Sequence, residues 1–97
     1  MRRVRFRHEV DPDLSEARTF YEERRLGLGD ELLAAVQLLV ARIARAPLEF
    51  PVVHRGIRRA LIKRFPYAIF FRASDTEILV LAILRQSARP RRWRSRG

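Results

Sequence analysis

The stretch DELLAAVQLLVARIARAP, residues 30–47, constrains this chain more than any other. Leu32, Leu33, Val36, Leu39, Val40 and Ile43 recur at helical spacing and form a wide apolar stripe. A helix patterned this way gains its stability by burying that stripe against a second layer. Pro47 ends it. Upstream, DPDLSEARTFYEERR begins another helix, with Asp11 placed to cap and Pro12 suited to the first helical position. Leu14, Ala17 and Tyr21 then fall at helical spacing, with Phe20 beside them. LGLGDELL breaks this first helix at Gly27 and Gly29 and opens the second. So short a link predicts an antiparallel helical hairpin.

The hairpin needs a surface to cover, and the rest of the chain reads as strands. VRFRHEV (4–10) alternates Val4, Phe6, His8 and Val10 against Arg5, Arg7 and Glu9, the period of a half-buried strand in which His8 takes the inward phase. LEFPVVHRG (48–56), with Pro51 and Gly56, reads as a loop. Three strands are expected at 57–64, 67–73 and 77–84, with a turn around Ser74–Asp75. The near-continuous apolar run of 77–84 suits a central strand. The order β-α-α-β-β-β is α+β, a helical hairpin packed on one face of a small antiparallel sheet. At 97 residues and 47% hydrophobic, the chain is expected to form one domain, 1–97, with a basic tail at 86–97.

Several function classes drop out. Without cysteine there is neither a disulfide framework nor a thiol site, and a reducing cytoplasm is the expected location. No apolar run reaches the roughly 20 residues of a bilayer span, and the basic start MRRVRFRHEV lacks the apolar region of a signal peptide. The GLG at 27–29 lies between helices, not after a strand, so it is not a phosphate loop. His8 and His54 lack metal-ligand spacing, and no Ser-His-acid set can be assembled. No cofactor and no metal are expected. Glu22, Glu23, Asp30 and Glu31 read as helix-surface charge that favours the start of the second helix.

Charge distribution points to binding. Residues 1–50 carry nine arginines and nine acids, whereas residues 51–97 carry twelve basic residues against Asp75 and Glu77. The whole net charge of +10 therefore lies in the second half, a surface suited to an anionic partner. On strand 57–64, Arg58 and Arg64 share one side while Arg59 and Lys63 share the other. Arg72 and Arg85 fall near the ends of the next two strands, and the tail adds Arg89, Arg91, Arg92, Arg94 and Arg96. Trp93, set among these arginines, either stacks on a partner or folds the tail back onto the core.

The motifs FYEERRLGLGDELLAAV, IRRALIKRFPYAIFFR and LVLAILRQSARPRRW, with Pro47 and Phe50–Pro51 between them, resemble the RelE/ParE superfamily of type II toxin–antitoxin (plasmid stabilisation) systems. The resemblance runs in order from about residue 9 to 96. Its RFPY corner and terminal RP-W-R pattern are the most specific pieces, and GLGDELL is closer to the ParE-like branch. It implies a helical hairpin against an antiparallel sheet, and a toxin neutralised by a cognate antitoxin, an acidic segment that folds on binding.

The resemblance implies one of two activities: ParE-like inhibition of DNA gyrase by contact, or RelE-like cleavage of mRNA within the ribosome. Many relatives have a histidine and a further arginine where this chain has Arg85 and Ala88. Arginine is a poor general base, so cleavage would fall to Tyr67, Glu49 or His54. The favoured expectation is the gyrase-directed toxin, with a binding surface of Arg58, Arg59, Lys63, Arg64, Arg72, Arg85, Arg89, Arg92, Trp93 and Arg96. On this reading, deleting residues 89–97 leaves a folded, inactive domain. The alternative endoribonuclease would use Tyr67 and His54 with Arg64, Arg72 and Arg85, and Arg58 and Lys63 near the scissile phosphate. A third reading is a degenerate nucleic-acid-binding member of the family.

Overall fold

Both helices form where the apolar stripes run. In the computed structural model, which describes residues 1–97, they are α1 (Val10–Glu22) and α2 (Leu28–Arg45). Ala17 and Tyr21 of α1, and Leu32, Val36 and Ile43 of α2, face inward. The first helix begins before Asp11, which therefore does not cap it. The chain swings directly out of the first strand through a tight turn, closed by the Val10 N–H on the Arg7 carbonyl at 3.0 Å. Asp11 and Asp13 sit instead in the first helical turn, where acids oppose the helix dipole.

The link between helices is built by Glu22. Its carboxylate accepts the Gly27 N–H at 2.9 Å and the Gly29 N–H at 3.0 Å, which satisfies donors that α2 leaves free at its start. Gly27 has φ of 90°, the left-handed conformation that glycine adopts most easily. Gly29 serves a different need: a Cβ there would lie 2.8 Å from the Arg18 carbonyl oxygen, so only glycine lets the helices approach this closely.

Five strands follow the order β1-β5-β4-β3-β2: β1 (Arg3–Phe6), β2 (Val52–His54), β3 (Ile57–Leu61), β4 (Tyr67–Ala73) and β5 (Glu77–Arg85). The sheet is mixed, because β1 pairs with β5 in parallel from Arg3 opposite Glu77 to Phe6 opposite Val80. The long path through both helices allows this parallel return, which a tight turn would forbid. The strand of 4–10 is cut short at Phe6, and His8 stands in the following turn with its side chain 90% exposed, not inward. Within the expected loop 48–56, the three residues of β2 pair irregularly with β3. So short an element carries too little alternation to be read.

The sheet has two covered faces. Helices and sheet enclose one core, containing Tyr21, Leu32, Ile43, Ile69, Phe71 and Val80. A second core on the opposite face holds Ile57, Ala68, Phe70, Leu81 and Leu84, and is roofed by Trp93 from the short helix α3 (Arg91–Arg94). This double cover explains the near-continuous apolar runs of β4 and β5. The β4–β5 ladder has one irregularity: Phe70 opposes Ala82 while Phe71 opposes Val80, leaving Leu81 as an extra, bulged residue.

Candidate functional site

The basic hairpin that dominates the second half of the sequence does not stay a strand through residue 64. Strand β3 stops at Leu61, and the chain turns through Ile62–Pro66, closed by the Ile62 N–H on the Tyr67 carbonyl at 3.0 Å. Ile62 and Phe65 both dive into the helix-side core. Driving those two apolar side chains inward forces the corner, and Arg64 adopts φ of 74°. The expected alternation of faces therefore holds for Arg58 and Arg59 but not for Lys63 and Arg64.

Each basic residue of this region has its own setting. The Arg58 guanidinium donates to the Phe50 carbonyl at 2.6 Å, while the Arg59 Nε is buried without a hydrogen-bond partner. Lys63 is exposed. Arg64 reaches an acid on α2, with Nη2 2.7 Å from Glu31 Oε1, and Arg25 holds the other carboxylate oxygen at 2.9 Å. Hydrogen bonds from Arg64 and Arg25 hold the Glu31 carboxyl below the usual carboxylate range. The chain folds an acid from the neutral half against the basic half, a pairing that only the tertiary structure reveals.

Arg85 emerges at the far end of β5, above the aromatic residues of α1 and β4. Its guanidinium lies 4.6 Å from the Phe20 ring centroid and 5.2 Å from that of Tyr67. These contacts fix the charge at the mouth of a cleft of about 130 Å³, which Asp13, Glu16, Ser87 and Arg92 also line. The cleft is far below the several hundred Å³ that a nucleotide-sized ligand occupies. Tyr67 itself is a core residue, and burial pushes its phenol above the ordinary value while Arg85 pulls the other way.

The tail divides into exposed and inward-turned residues. Arg89 and Arg92 are exposed. Trp93 is 6% exposed and stacks on Phe70 at 4.5 Å with planes 12° apart, so it folds the tail back instead of offering its face to a partner. Arg96 is also turned inward. Its Nη1 lies 2.6 Å from Asp13 Oδ2 and 3.2 Å from the Leu81 carbonyl, and that Asp13 oxygen accepts the Ile83 N–H at 3.1 Å. Beyond the short β1, a largely buried ion pair thus serves the edge backbone of β5 in place of a strand.

Of the three candidate bases, Glu49 is held in an ion pair by Arg42 at 3.3 Å, and the other two do not meet. Tyr67 faces the helix-side core, together with Arg85. His54 lies on the tail side, its ring 6.3 Å from that of Trp93. Arg72 belongs with His54: its Nη1 donates to the Arg55 carbonyl at 2.7 Å. The five residues of the ribonuclease constellation therefore split between opposite faces of the sheet. Arg94 figures in the sequence only as one of the tail arginines and Arg55 not at all, yet both bring positive charge to bear on His54; the turn-forming Arg55–Gly56 pair is the one available signal.

No family model matches this chain, and no curated protein matches it. Among solved structures, it is similar to a chain described as the chromosomal ParDE TA system from P. aeruginosa, with a TM-score of 0.77 and 19% identity. The match covers 88% of this chain and 96% of that one. The α+β fold expected from the RelE/ParE resemblance is the fold that the chain has.

Proposed function

We propose that the chain is the toxin of a type II toxin–antitoxin pair, of the ParE-like kind, restrained by an acidic antitoxin and acting on DNA gyrase by stoichiometric contact. The likeness of fold to a chain of a ParDE system over 88% of the residues is the observation that carries the toxin reading. Twelve basic residues against two acids in the second half supply the complement for an acidic partner.

The choice of contact over catalysis rests on the separation of Tyr67 from His54. General acid–base cleavage needs a base within hydrogen-bond reach of the ribose hydroxyl, beside a group that stabilises the phosphate. Arg85 has Tyr67 as neighbour, but burial makes that phenol a weaker acid, and His54 lies across the sheet. Ribosome-dependent cleavage is the second reading, favoured only by the grouping of Arg85, Arg92 and Tyr67 around one cleft.

Purified protein titrated into a gyrase supercoiling assay, alongside mRNA cleavage on translating ribosomes, separates the readings. Loss of supercoiling with intact mRNA is expected. Cut mRNA with unaffected gyrase would replace the contact mechanism with an enzymatic one centred on Arg85.

A further inference from the structure

Six arginines are paired with acids: Arg5, Arg18, Arg25, Arg42, Arg64 and Arg96. None of Arg55, Arg72 and Arg94 is among them, yet all three converge on one place. Arg55 and Gly56 form the β2–β3 turn with φ of 39° and 81°, and the Arg55 carbonyl holds the Arg72 guanidinium at 2.7 Å. Gly56 leaves room for it, since a Cβ there would stand 2.8 Å from Arg72 Nη1. Arg94 extends over the Trp93 ring, its Cζ 5.4 Å from the centroid, while His54 meets the same ring at its edge. Turn, strand and tail helix thus gather Arg55, Arg72 and Arg94 around His54, which Arg55 follows in the chain and which shares the Trp93 ring with Arg94.

We infer that Arg55, Arg72 and Arg94 around His54 form an anion-binding site, and that it takes the side-chain carboxylates of an acidic, extended polypeptide. Two features select a polypeptide over nucleic acid. Trp93, the aromatic residue at the centre of the cluster, lies flat against Phe70 with Arg94 over its ring, so no stacking platform is offered to a base. Beside the cluster, β2 is the last strand of the sheet, and its outer edge is free to pair with another backbone. The exposed Val52 on that strand adds an apolar contact that a phosphate chain would not use. Carboxylates placed along such a strand would pair with these guanidiniums through charge-assisted hydrogen bonds. Burial, then Arg94, Arg55 and Arg72, lower the affinity of His54 for a proton, and a bound anion opposes those three charges.

This site deepens the antitoxin reading by giving the partner's acids a place to dock, and it rests on that reading only for the partner's identity. The test uses the full chain, with hexaglutamate and hexathymidylate as probes, followed by NMR of the His54 ring. Hexaglutamate is expected to shift the His54 resonances and raise its pKa, more strongly at low than at high salt. Arg94→Gln, an exposed change that spares the fold, is expected to weaken binding about tenfold, as does Arg72→Gln, while Arg3→Gln, exposed on the opposite edge strand, leaves it unchanged. An unaltered affinity in Arg94→Gln, or shifts that bypass His54, would overturn the site. Tighter binding of hexathymidylate at His54 would overturn the choice of polypeptide. Hexaglutamate binding as described by a chain that leaves gyrase and mRNA untouched would keep the site and remove the toxin reading.

Discussion

Replacing Trp93 with Ala tests whether the tail is part of the fold or an appendage to it. The side chain is 6% exposed, stacked on Phe70 and packed in the tail-side core with Ile57, Leu81 and Leu84. Truncating a buried Trp to Ala costs about 3–5 kcal/mol, through lost transfer energy and the cavity left behind. A domain of 97 residues has a total stability of about 5–15 kcal/mol, so the change removes a large fraction of it. With about 4–8 °C lost per kcal/mol at this size, the melting midpoint should fall by at least ~12 °C. Urea unfolding followed by far-ultraviolet circular dichroism measures the difference directly. A loss below about 1 kcal/mol would refute the reasoning, because no buried, stacked Trp is removed so cheaply. Deleting residues 89–97 takes this anchor away together with Arg96, so an inactive deletion variant would report damage to the fold before it reported a lost contact surface.

Two further outcomes follow from buried polar groups. Asp13→Asn leaves Arg96 without its counter-charge in a site where the side chains are 6% and 13% exposed, and should cost about 3–5 kcal/mol in urea unfolding. The double change Asp13→Leu with Arg96→Met should recover part of that loss, since it removes both charges together. Tyr67 has a raised pKa in the folded state, so its contribution is intact below the phenol's unfolded value near 10 and is lost as pH rises through the folded value. Tyr67→Phe should therefore flatten the alkaline limb of a stability–pH profile, and an unchanged limb would show that the ring does not resist ionisation.

What could be read from the residues was governed by range. The stripe of Leu32, Val36 and Ile43 and the run 77–84 describe local periodicity, and both fold as their spacing requires. Strand β3 ended early because Ile62 and Phe65 are drawn into a core made by residues far along the chain. The parallel pairing of β1 and the inward turn of Arg96 depend on contacts 70 or more residues apart, as between Asp13 and Arg96, 83 positions distant. The site shows the same division. Its positive charge was visible in composition, but the Arg64–Glu31 pair, the separation of Tyr67 from His54 and the gathering of Arg55, Arg72 and Arg94 are products of tertiary packing.

The Asp13–Arg96 pair has a consequence for how the chain reaches its native state. Asp13 is synthesised 83 residues before Arg96, yet the backbone of β5 is served by both. Folding during synthesis therefore cannot run to completion from the N-terminus, because helix α1 waits for the tail and the second core waits for Trp93. Such distant closures are slow to form, and until they do the apolar face of Phe70 and Leu84 and the unpaired stretch of β5 stand open. A nascent chain stays in this state until Trp93 and Arg96 have been made and have closed onto β5.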